Sequence, residues 1–300
     1  MIYHKPVLLE ESIQGLNIKP KGIYVDLTFG GGGHSLRILE KLDAEGRLLA
    51  FDQDLDAQEN LPADQRLIFI HSNFRFLKNF LRYHKLEKVD GVLADLGISS
   101  HQIDVKERGF MHREDAVLDM RMNNENKLTA GIVLNTYSIE KLAEIFRTYG
   151  ELPGAGRYAR KIVEARKNKA MKTSSDLKTS IETLLPPRQN AKYLSMLFQA
   201  LRIEVNDEMG ALKDTLVQMP DCLKPGGRLV VLSYHSIEDR LVKNFIKTGN
   251  LEGKVEKDFY GNIIKDMMAI NKGVIVASEK ELEENPRSRS AKLRIAEKPE

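Results

Sequence analysis

The sequence predicts an α/β protein in which a mostly parallel sheet is interrupted by an inserted helical domain. Over the first third of the chain, apolar β-branched runs alternate with helical patterns, and a glycine-rich turn joins the first strand to the first helix. From about His101 to Asn190 only helical patterns remain, and the sheet resumes with the apolar run Arg228–Leu232. We therefore expect one α/β domain from residues 1–103 and 206–300, with residues 104–205 as the insert.

The composition is that of an ordinary globular protein. Its 300 residues are 42% hydrophobic, and 46 lysines and arginines nearly balance 43 aspartates and glutamates, so net charge does not itself indicate a nucleic-acid-binding protein. The single cysteine, Cys222, excludes an intramolecular disulfide, and the histidines show no metal-ligand spacing, so we expect no metal. Because Met1–Pro6 has no apolar signal region and no run could span a membrane, we expect a cytoplasmic protein with no membrane partner.

The stretch from Asp26 to His34, Asp-Leu-Thr-Phe-Gly-Gly-Gly-Gly-His, connects a strand pattern to a helix pattern. Its glycines permit positive φ angles and close approach of a ligand to the backbone, and the following helix N-terminus offers unpaired N–H groups. The pattern predicts a nucleotide or nucleoside site. It is not a P-loop, because no Gly-Lys-Ser/Thr follows, and it matches a dinucleotide fingerprint only loosely. The alternative is that the glycines only let the helix pack closely against its strand.

Acidic side chains follow two of the predicted strands. The second strand, Arg47–Phe51, ends at Asp52, where nucleoside-binding folds place an acid that accepts hydrogen bonds from ribose hydroxyls. The alternative for Asp52 is a helix cap, although Asp54 is better placed for that role. The fourth strand, Val89–Ala94, ends at Asp95, so both acids are expected at the same edge of the sheet.

Two other candidates also follow strands. Phe74 comes after the third strand and could either stack on an adenine ring or belong to the core. His235 follows the strand that resumes the sheet, and Ser236 and Asp239 after it are typical of a helix-capping pair. Because ligands of open parallel sheets bind at the carboxyl ends of strands, we expect Phe74 and His235 to lie near Asp95.

The insert is predicted to consist of amphipathic helices separated by loops that contain proline and glycine. The helices cover Thr129–Asn135, Ser138–Tyr149, Arg157–Asn168 and Thr173–Leu185, and a longer one begins near Lys192. Ser138 and the pattern Thr173-Ser-Ser-Asp176 are helix-capping signals. In the long helix, Gln199, Arg202 and Asn206 share a polar face that should meet either the neighbouring subdomain or a substrate.

Two stretches are strongly basic. Arg157–Lys172 contains seven lysines and arginines against one acid, and Asn285–Arg294 contains four basic residues and no acid. Both could contact nucleic-acid phosphates, but a charged stretch can equally be a solvated surface.

The two ends of the chain are expected to complete the sheet. Val274–Ala277 and Lys292–Ile295 are apolar runs that predict closing strands. Near the other end, Val7–Leu9 is expected to pack on the edge of the sheet.

Several blocks of residues, in one order along nearly the whole chain, carry a resemblance to a known family. They are His4–Glu10, Asp26–His34, Asp90–Gly91, Asp95–Ser100, Arg108–Phe110, Leu118–Met122, Gln199–Ile203, Val205–Glu208, His235–Arg240, Asn285–Arg287 and Ser290–Arg294. The chain resembles the RsmH, also called MraW, methyltransferases, which act on bacterial small-subunit ribosomal RNA. So many separate blocks are far more specific than the glycine turn alone.

The resemblance implies a class I S-adenosylmethionine-dependent methyltransferase with a Rossmann-like sheet, in which the insert recognises the substrate. Its reaction would be methylation of N4 of a decoding-centre cytosine, cytosine 1402 of bacterial 16S ribosomal RNA, with S-adenosylhomocysteine as the other product. The residues that match the family's cofactor-binding positions are Gly32, Gly33 and His34 at the methionine end, Asp52 at the ribose, Phe74 near the adenine, and also Asp95 and Gln102.

The implied chemistry needs hydrogen-bond acceptors beside the amine. The exocyclic amine of cytosine is a poor nucleophile because its lone pair is delocalised into the ring, so the protein must align it and accept hydrogen bonds from it. Many amino-methyltransferases use an Asp/Asn/Ser-Pro-Pro-aromatic loop there, whereas this chain has Asp95-Leu-Gly-Ile. We hypothesise that Asp95, or the nearby Ser99 and Ser100, accepts from the amine and that His235 shapes the base pocket. Further candidates in the insert are Asp119 and Asn206.

The implied partner is small-subunit ribosomal RNA within the 30S particle, and the target base must leave its stack to enter such a site. The sequence leaves open whether the protein forms a homodimer. Two other functions share features of this sequence. A nicotinamide-dependent oxidoreductase would use a similar glycine turn but needs a hydride-transfer site that the sequence does not offer. A non-catalytic RNA-binding protein on a methyltransferase scaffold could retain the cofactor-site residues.

Overall fold

The computed structural model describes residues 6–300. The segment Met1–Pro6, for which the sequence predicts no signal region, therefore lies outside the described part except for Pro6. The first two residues of the block His4–Glu10 also lie outside it. The chain divides into two compact units, one formed by residues up to Gly97 together with Met209–Glu300, the other by Ile98–Glu208. The domain boundaries predicted from the sequence are 103/104 and 205/206 instead.

The first unit contains the sheet. Its strands are β1 (Ile23–Asp26), β2 (Arg47–Asp52), β3 (Leu67–His71), β4 (Val89–Asp95), β5 (Leu223–Ser233), β6 (Met268–Ala269) and β7 (Lys292–Glu297). In the described residues these strands form one sheet in the order β3-β2-β1-β4-β5-β7-β6, in which β1 to β5 are parallel and β7 runs antiparallel to β5 and β6. The predicted class I methyltransferase fold is thereby confirmed.

The strand order also fixes where a ligand can bind. From β1 the chain proceeds outward to β2 and β3, and it then returns to the other side of β1 with β4 and β5. The carboxyl ends of β1 and β4 are therefore a topological switch point, and in open α/β sheets ligands bind in the crevice at such a point.

The α-helices in residues 6–300 include the predicted helices of the insert. In chain order they are α1 (Leu9–Leu16), α2 (Gly33–Leu39), α3 (Leu77–Tyr83), α4 (Ser100–Asp104), α5 (Ala130–Thr136), α6 (Ile139–Thr148), α7 (Ala155–Arg166), α8 (Ser174–Ile181), α9 (Asn190–Asn206), α10 (Glu208–Cys222), α11 (Ser236–Thr248) and α12 (Glu279–Glu284). As predicted, Ser138 caps α6, and Thr173 and Asp176 form a capping box at the start of α8. Within this part of the chain, no helix is both long and apolar enough to cross a membrane.

The sheet is buried along its inner strands. All of β4 except its last residue is buried, as expected for a parallel strand covered on both faces. Val7 and Leu8 belong to the same apolar cluster as Tyr24 of β1 and Leu93 of β4. The prediction that Val7–Leu9 packs on the sheet edge is therefore wrong, because this segment leads into α1 and packs with residues of the central strands.

The second unit has a core of its own, built by α5 to α9. Phe146, Ile162, Leu177 and Leu201, from α6 to α9, are almost fully buried in one apolar cluster. The polar face of α9 meets backbone of this same unit, since the Gln199 amide donates to the Tyr149 carbonyl at 2.8 Å. This contact lies within one unit and therefore does not confirm the prediction that the face meets the neighbouring subdomain or a substrate.

Two predictions for the C-terminal part of the sheet are wrong. Val274–Ala277 is not a strand, because only Ile275 makes a bridge, to Leu293 of β7, while the short strand β6 pairs with β7 in its place. The prediction that the sheet resumes at Arg228 is wrong as well, because β5 begins at Leu223 and its pairing with β4 is irregular between Val89 and Gly91. An irregular register absorbs the glycines without ending the strand.

Candidate active site

The glycine turn lies between β1 and α2. Gly32 has φ = +78°, which favours glycine, and its N–H donates to the Phe29 carbonyl at 2.7 Å, closing the turn. At Gly33 an added Cβ would lie 2.2 Å from Pro6 Cγ, so the segment before α1 packs directly on the start of α2. Gly31 is exposed, and an added Cβ there would meet no described atom within 4 Å. The turn thus offers open backbone on the side of Gly31.

Asp52, the last residue of β2, keeps hydrogen-bonding capacity for a ligand. Its Oδ2 accepts from Gly30 N at 2.7 Å and its Oδ1 from Asp54 N at 2.8 Å. A carboxylate offers about four acceptor positions, so roughly two remain for hydroxyl donors. Burial raises the pKa of Asp52 to about 6 despite these two hydrogen bonds. The capping role belongs to Asp54, which accepts from Asp56 N at the start of the 3₁₀ helix Leu55–Asn60.

Asp95, the last residue of β4, is held on three sides. Its Oδ1 accepts from the Tyr234 hydroxyl at 2.7 Å, its N–H donates to Thr28 Oγ1 at 2.7 Å, and its Oδ2 lies 3.7 Å from Nδ1 of His34. The side chain is still 24% exposed. Burial raises the pKa of Asp95 to about 7, and the charge of Glu238 adds to this against the hydrogen bond from Tyr234. A fixed carboxylate that titrates near neutral pH is suited to holding or accepting a proton.

His34 is buried in the first turn of α2, above a second buried carboxyl. Burial lowers the pKa of His34, and the charge of Asp26 opposes this shift. Asp26 is fully buried at the end of β1, which raises its pKa, and it accepts from Ser35 Oγ at 2.7 Å and from Thr28 N at 3.0 Å. Nε2 of His34 has no hydrogen-bond partner among residues 6–300. A buried nitrogen without a partner is a polar atom that a bound ligand could satisfy.

Phe74 opens the 3₁₀ helix Phe74–Phe76, just beyond the end of β3. Asn73 caps this helix by accepting from Arg75 N, and this fixes the direction in which the chain leaves the strand. The Phe74 side chain is half-buried, so part of it remains open to solvent. Its position at the carboxyl end of a strand is as the sequence predicts.

His235 caps α11. Its Nδ1 accepts from Glu238 N at 3.4 Å, and its Nε2 lies 3.1 Å from Glu238 Oε1. In return, the buried Glu238 accepts from the N–H groups of Tyr234 and His235 at 2.9 and 3.3 Å. The observed capping pair is therefore His235 and Glu238, and the predicted pair of Ser236 and Asp239 is wrong by one residue. The cap holds the backbone of Tyr234, whose hydroxyl in turn holds Asp95.

Asp239 is instead the partner of the second basic stretch. Its carboxylate accepts from Arg294 Nε at 2.7 Å and from Lys292 Nζ at 3.3 Å. Two of the four basic residues are thus neutralised within the first unit, while Arg289 is exposed. The stretch is therefore less available to phosphates than its composition suggests.

Ser99 and Gln102 belong to the second unit, where they form the capping box of α4. Ser99 Oγ accepts from Gln102 N at 3.2 Å, and Gln102 Oε1 accepts from Ser99 N at 3.1 Å. This reciprocal arrangement satisfies N–H groups that the helix itself cannot pair. Gln102 is buried, so its amide is also part of the packing of its own unit.

Asp119 and Asn206 shape one loop of the second unit. Asp119 pairs with Arg121 at 2.7 Å; burial acts against this carboxylate, but the hydrogen bonds from Arg121 outweigh it and lower the pKa of Asp119. Asn206 accepts from Met122 N at 2.7 Å and donates to the Met120 carbonyl at 2.7 Å. Both side chains are thus used in holding the segment 119–122.

The first basic stretch is partly neutralised. Lys161 pairs with Glu164 at 3.5 Å and Lys169 with Asp176 at 2.6 Å, while the Arg166 guanidinium donates to a backbone carbonyl of α5. The remaining basic side chains, Arg157, Arg160, Lys167 and Lys172, are exposed. The stretch is therefore compatible with both interpretations that the sequence allows.

Comparison with known families decides the class of protein to which this site belongs. The model of the MraW methylase family matches residues 1–299. The chain belongs to the MraW methylase family. A Bacteroides thetaiotaomicron protein named ribosomal RNA small subunit methyltransferase H is 55% identical over 298 residues, covering 99% of this chain and 98% of its own. Proteins of the same name from Phocaeicola vulgatus and Flavobacterium johnsoniae are 56% and 54% identical, each over 99% of this chain and 98% of their own.

Similarity to solved structures is much weaker. An rRNA methylase from Streptococcus thermophilus is 12% identical with a TM-score of 0.44, the alignment covering 100% of this chain and 99% of the other. A TM-score of this size carries no argument about the site, and the family assignment depends on the sequence matches.

The cofactor of this MraW methylase is S-adenosylmethionine, as the sequence predicts. The residues at the carboxyl ends of β1, β2 and β4 fit it: Gly31 leaves backbone open, Asp52 keeps acceptor positions for two hydroxyls, and His34 keeps a buried nitrogen without a partner among residues 6–300. When bound, the cofactor would supply an electrophilic methyl group.

Three residues of this candidate site were not identified from the sequence. Asp26, Thr28 and Tyr234 contact the predicted residues, yet their types alone do not distinguish them from core and turn residues. Asp26 could have been found, because it ends β1 as Asp52 ends β2 and Asp95 ends β4. Tyr234 had no such signal, since only the pairing of β4 with β5 places it beside Asp95.

Proposed function

We propose that this MraW methylase transfers the methyl group of S-adenosylmethionine to N4 of a decoding-centre cytosine in the small-subunit ribosomal RNA. The relatives' shared name supports ribosomal RNA of the small subunit as the substrate. The observation that carries the chemistry is the Asp95 carboxylate, fixed by Tyr234 at the switch point of the sheet and still 24% exposed.

Cofactor binding is assigned to residues of the first unit. Gly32, Gly33 and His34 would hold the methionine end, Asp52 the ribose hydroxyls, and Phe74 the surroundings of the adenine. The free acceptor positions of Asp52 and the half-exposed Phe74 support these roles. Asp95 completes the set proposed for this unit, and the role of Gln102 in cofactor binding stays a prediction from the resemblance.

The proposed role of Asp95 follows from the needs of the amine. As the N4–methyl bond forms and the methyl–sulfur bond breaks, positive charge develops on N4, and one of its protons must leave. An acceptor beside the N–H group stabilises that charge and can take the proton. A carboxyl group whose pKa burial raises to about 7 is basic enough to do so near neutral pH. Alignment of the amine contributes further, up to ~7–11 kcal/mol in favourable cases.

Ser99 and His235 are the other two catalytic candidates, and the hydrogen bonds of each favour a positioning role. Ser99 Oγ accepts from Gln102 N, and the His235 ring accepts from Glu238 N. We assign His235 to holding the segment of Tyr234, and so indirectly Asp95, and Ser99 to the start of α4. Variants at both positions should therefore change rate less than a variant at Asp95.

The test uses small ribosomal subunits from a strain that lacks this activity. They are incubated with the protein and methyl-labelled S-adenosylmethionine, and nuclease fragments of the RNA are weighed and sequenced by mass spectrometry. We expect one added methyl group on N4 of one decoding-region cytosine. Asp95→Asn should slow the transfer by about 100-fold or more, whereas Asp221→Asn, which removes an exposed partner of Lys78, serves as the matched control.

The outcomes separate the alternatives. A methyl group on another base or atom would refute the proposed target while leaving the protein a methyltransferase. Absence of transfer to subunits and to naked RNA, with cofactor binding intact, would favour the non-catalytic RNA-binding protein.

A further inference from the structure

The segment that follows α11 presents two aromatic side chains to solvent. Phe259 is 98% exposed and Tyr260 85% exposed, and the two rings touch edge to face with centroids 5.6 Å apart. We call the residues 254–265 the aromatic hairpin. Adjacent aromatic side chains left in water at the tip of a hairpin contribute nothing to the core, and such apolar exposure is typical of an interaction site.

The turn that carries the rings is fixed by hydrogen bonds of its own. Asp258 Oδ1 accepts from the N–H groups of Tyr260 and Asn262, each at 2.9 Å, and Asp258 N donates to the Asn262 carbonyl at 2.9 Å. Gly261 has φ = +86°, a conformation that closes the turn and that other residues rarely adopt. The hydrogen bonds from Asn262 are the main reason that the pKa of Asp258 is lowered. The carboxylate therefore stays charged and the turn persists at neutral pH.

The base of the aromatic hairpin is attached to the end of α11. At Gly249, the glycine that ends α11 with φ = +77°, an added Cβ would lie 2.5 Å from the Ile264 carbonyl oxygen. Asn244 of α11 donates to the Leu251 carbonyl at 3.0 Å, and Asn250 donates to that of Lys254 at 2.6 Å. The rings are therefore presented from a defined place on the first unit.

Exposed lysines without an ion pair accompany the rings. Residues 243–266 contain five lysines and four acids, so the net charge of this stretch is only slightly positive. The lysines are Lys243, Lys247, Lys254, Lys257 and Lys265, and the acids are Glu252, Glu256, Asp258 and Asp266. None of these lysines forms an ion pair within the described part of the chain, and all except the half-buried Lys265 are exposed. Lys254 and Lys257, which precede the rings in the hairpin, can therefore contact an anionic ligand.

This combination fits single-stranded nucleic acid better than protein. Proteins that bind single-stranded RNA stack unpaired bases on exposed aromatic rings while basic side chains follow the phosphates. Stable protein interfaces bury about 800 Å² on each side and are depleted in lysine, whereas this tip offers two rings among several lysines.

We propose that the aromatic hairpin binds RNA, with Phe259 and Tyr260 stacking on unpaired bases and Lys254 and Lys257 contacting the adjoining phosphates. This proposal rests on the proposed function, because it assumes an RNA substrate. It adds a contact on the first unit, outside the site at the carboxyl ends of β1, β2 and β4.

A tryptophan at the tip gives a direct readout of stacking. The chain contains no tryptophan, so Phe259→Trp creates a single fluorophore on the aromatic hairpin. We expect a single-stranded oligoribonucleotide with the decoding-region sequence to quench its fluorescence, since a stacked base contacts the indole face. The same titration with Leu55→Trp, at a position that is 53% exposed and lies between Asp54 and Asp56, should show no quenching.

Affinity is measured with a fluorescently labelled form of that oligoribonucleotide. The double variant Phe259→Ala/Tyr260→Ala should bind it at least about 30-fold more weakly than wild type, because two stacking contacts are lost. Leu55→Ala should bind as wild type does. Lys254→Gln/Lys257→Gln should reduce the slope of log affinity against log salt concentration by about 0.7 for each single-strand phosphate that is no longer neutralised.

Parallel methylation of small subunits separates this proposal from the proposed function. If wild type methylates the subunits but the double variant retains full RNA affinity, or the tryptophan is not quenched, the hairpin proposal is wrong and the proposed function stands. If the double variant keeps RNA affinity and instead changes its oligomeric state in gel filtration, the tip is a protein interface. If wild type neither binds nor methylates RNA, both proposals are wrong.

Discussion

The polar groups at the carboxyl ends of the strands differ from those in the helical unit in how much of their hydrogen-bonding capacity is used. Asp95 accepts one hydrogen bond from a side chain and remains 24% exposed, and burial raises its pKa to about 7. Asp119 is paired with Arg121, whose hydrogen bonds lower its pKa despite burial. From the sequence, both aspartates are candidates for accepting a hydrogen bond from the amine. Asp119 accepts three hydrogen bonds from Arg121, whereas Asp95 accepts one from Tyr234, so Asp95 keeps more acceptor capacity for a ligand.

The same difference in unused hydrogen-bonding capacity separates Asp52 and His34 from Ser99 and Gln102. Asp52 keeps acceptor positions after two backbone hydrogen bonds, and His34 keeps a buried nitrogen that has no partner among residues 6–300. Ser99 and Gln102 satisfy each other in a capping box. A buried polar atom with an unused hydrogen-bonding position indicates a ligand site, because burial makes an unpaired polar atom costly in free energy. A polar atom whose hydrogen bonds are made within the protein indicates a structural role.

The largest expected effect is at Asp95. Asp95→Asn removes the carboxylate that accepts from the amine and should lower the methylation rate by about 100-fold to about 10,000-fold. Asp119→Asn, the matched change in the helical unit, should lower the stability of the protein by weakening its pairing with Arg121 but change the rate less than tenfold. The measurement is single-turnover methyl transfer at saturating cofactor and RNA. Equal decreases in rate for the two variants would show that Asp95 does not have a catalytic role that Asp119 lacks.

The second effect is a pH dependence of stability that Asp52 causes. Its pKa is raised from 3.8 to about 6, so between these values the folded state binds more protons than the unfolded state, and stability falls as pH rises. Relative to Asp52→Asn, the wild type without cofactor should lose up to about 3 kcal/mol between pH 4 and pH 7 and change little above that.

Urea unfolding at a series of pH values measures this difference. The asparagine alters the hydrogen bonds of Gly30 and Asp54 by an amount that does not depend on pH, so the slope is the relevant quantity. Parallel curves for wild type and variant would show that the carboxyl group of Asp52 does not titrate as described.

A smaller effect is expected at Tyr234. Its hydrogen bond lowers the pKa of Asp95, so Tyr234→Phe should raise that pKa further and move the rise of the rate with pH to higher pH, with a decrease of roughly fivefold at pH 7. Tyr137→Phe is a matched control, because the Tyr137 hydroxyl donates to Glu204 at 2.9 Å in the helical unit. An unchanged pH profile for Tyr234→Phe would contradict the coupling to Asp95.

The smallest effect is expected at Ser99. Ser99→Ala removes the cap of α4 and should lower the free energy of unfolding by about 1 kcal/mol. If capping is its whole role, Ser99→Thr should restore that stability, and both variants should methylate RNA at nearly the wild-type rate. A decrease in rate for Ser99→Ala much larger than its destabilisation explains would return Ser99 to the catalytic candidates.

Much of the fold follows from local patterns. The alternation of strands and helices, the glycine turn and the capping signals at Ser138 and Thr173 are short-range features, and the structure has each of them. The C-terminal strands were harder to predict, because Val274–Ala277 has the composition of a strand but the edge of the sheet accepts β6 in its place. The composition of an apolar run does not specify the strand with which it pairs.

By itself, the sequence determined the strand ends on which the candidate site is built, since Asp52, Asp95 and the glycine turn follow directly from strand and turn signals. Only the tertiary structure decided which groups meet: Tyr234 and Asp95 are 139 residues apart in the chain, and Lys292 and Arg294 reach Asp239 across more than fifty. It also decided the pKa values, because burial is the largest cause of the shifts at Asp52 and Asp95. Local sequence encodes backbone conformation, whereas burial and long-range pairing exist only once the sheet has assembled.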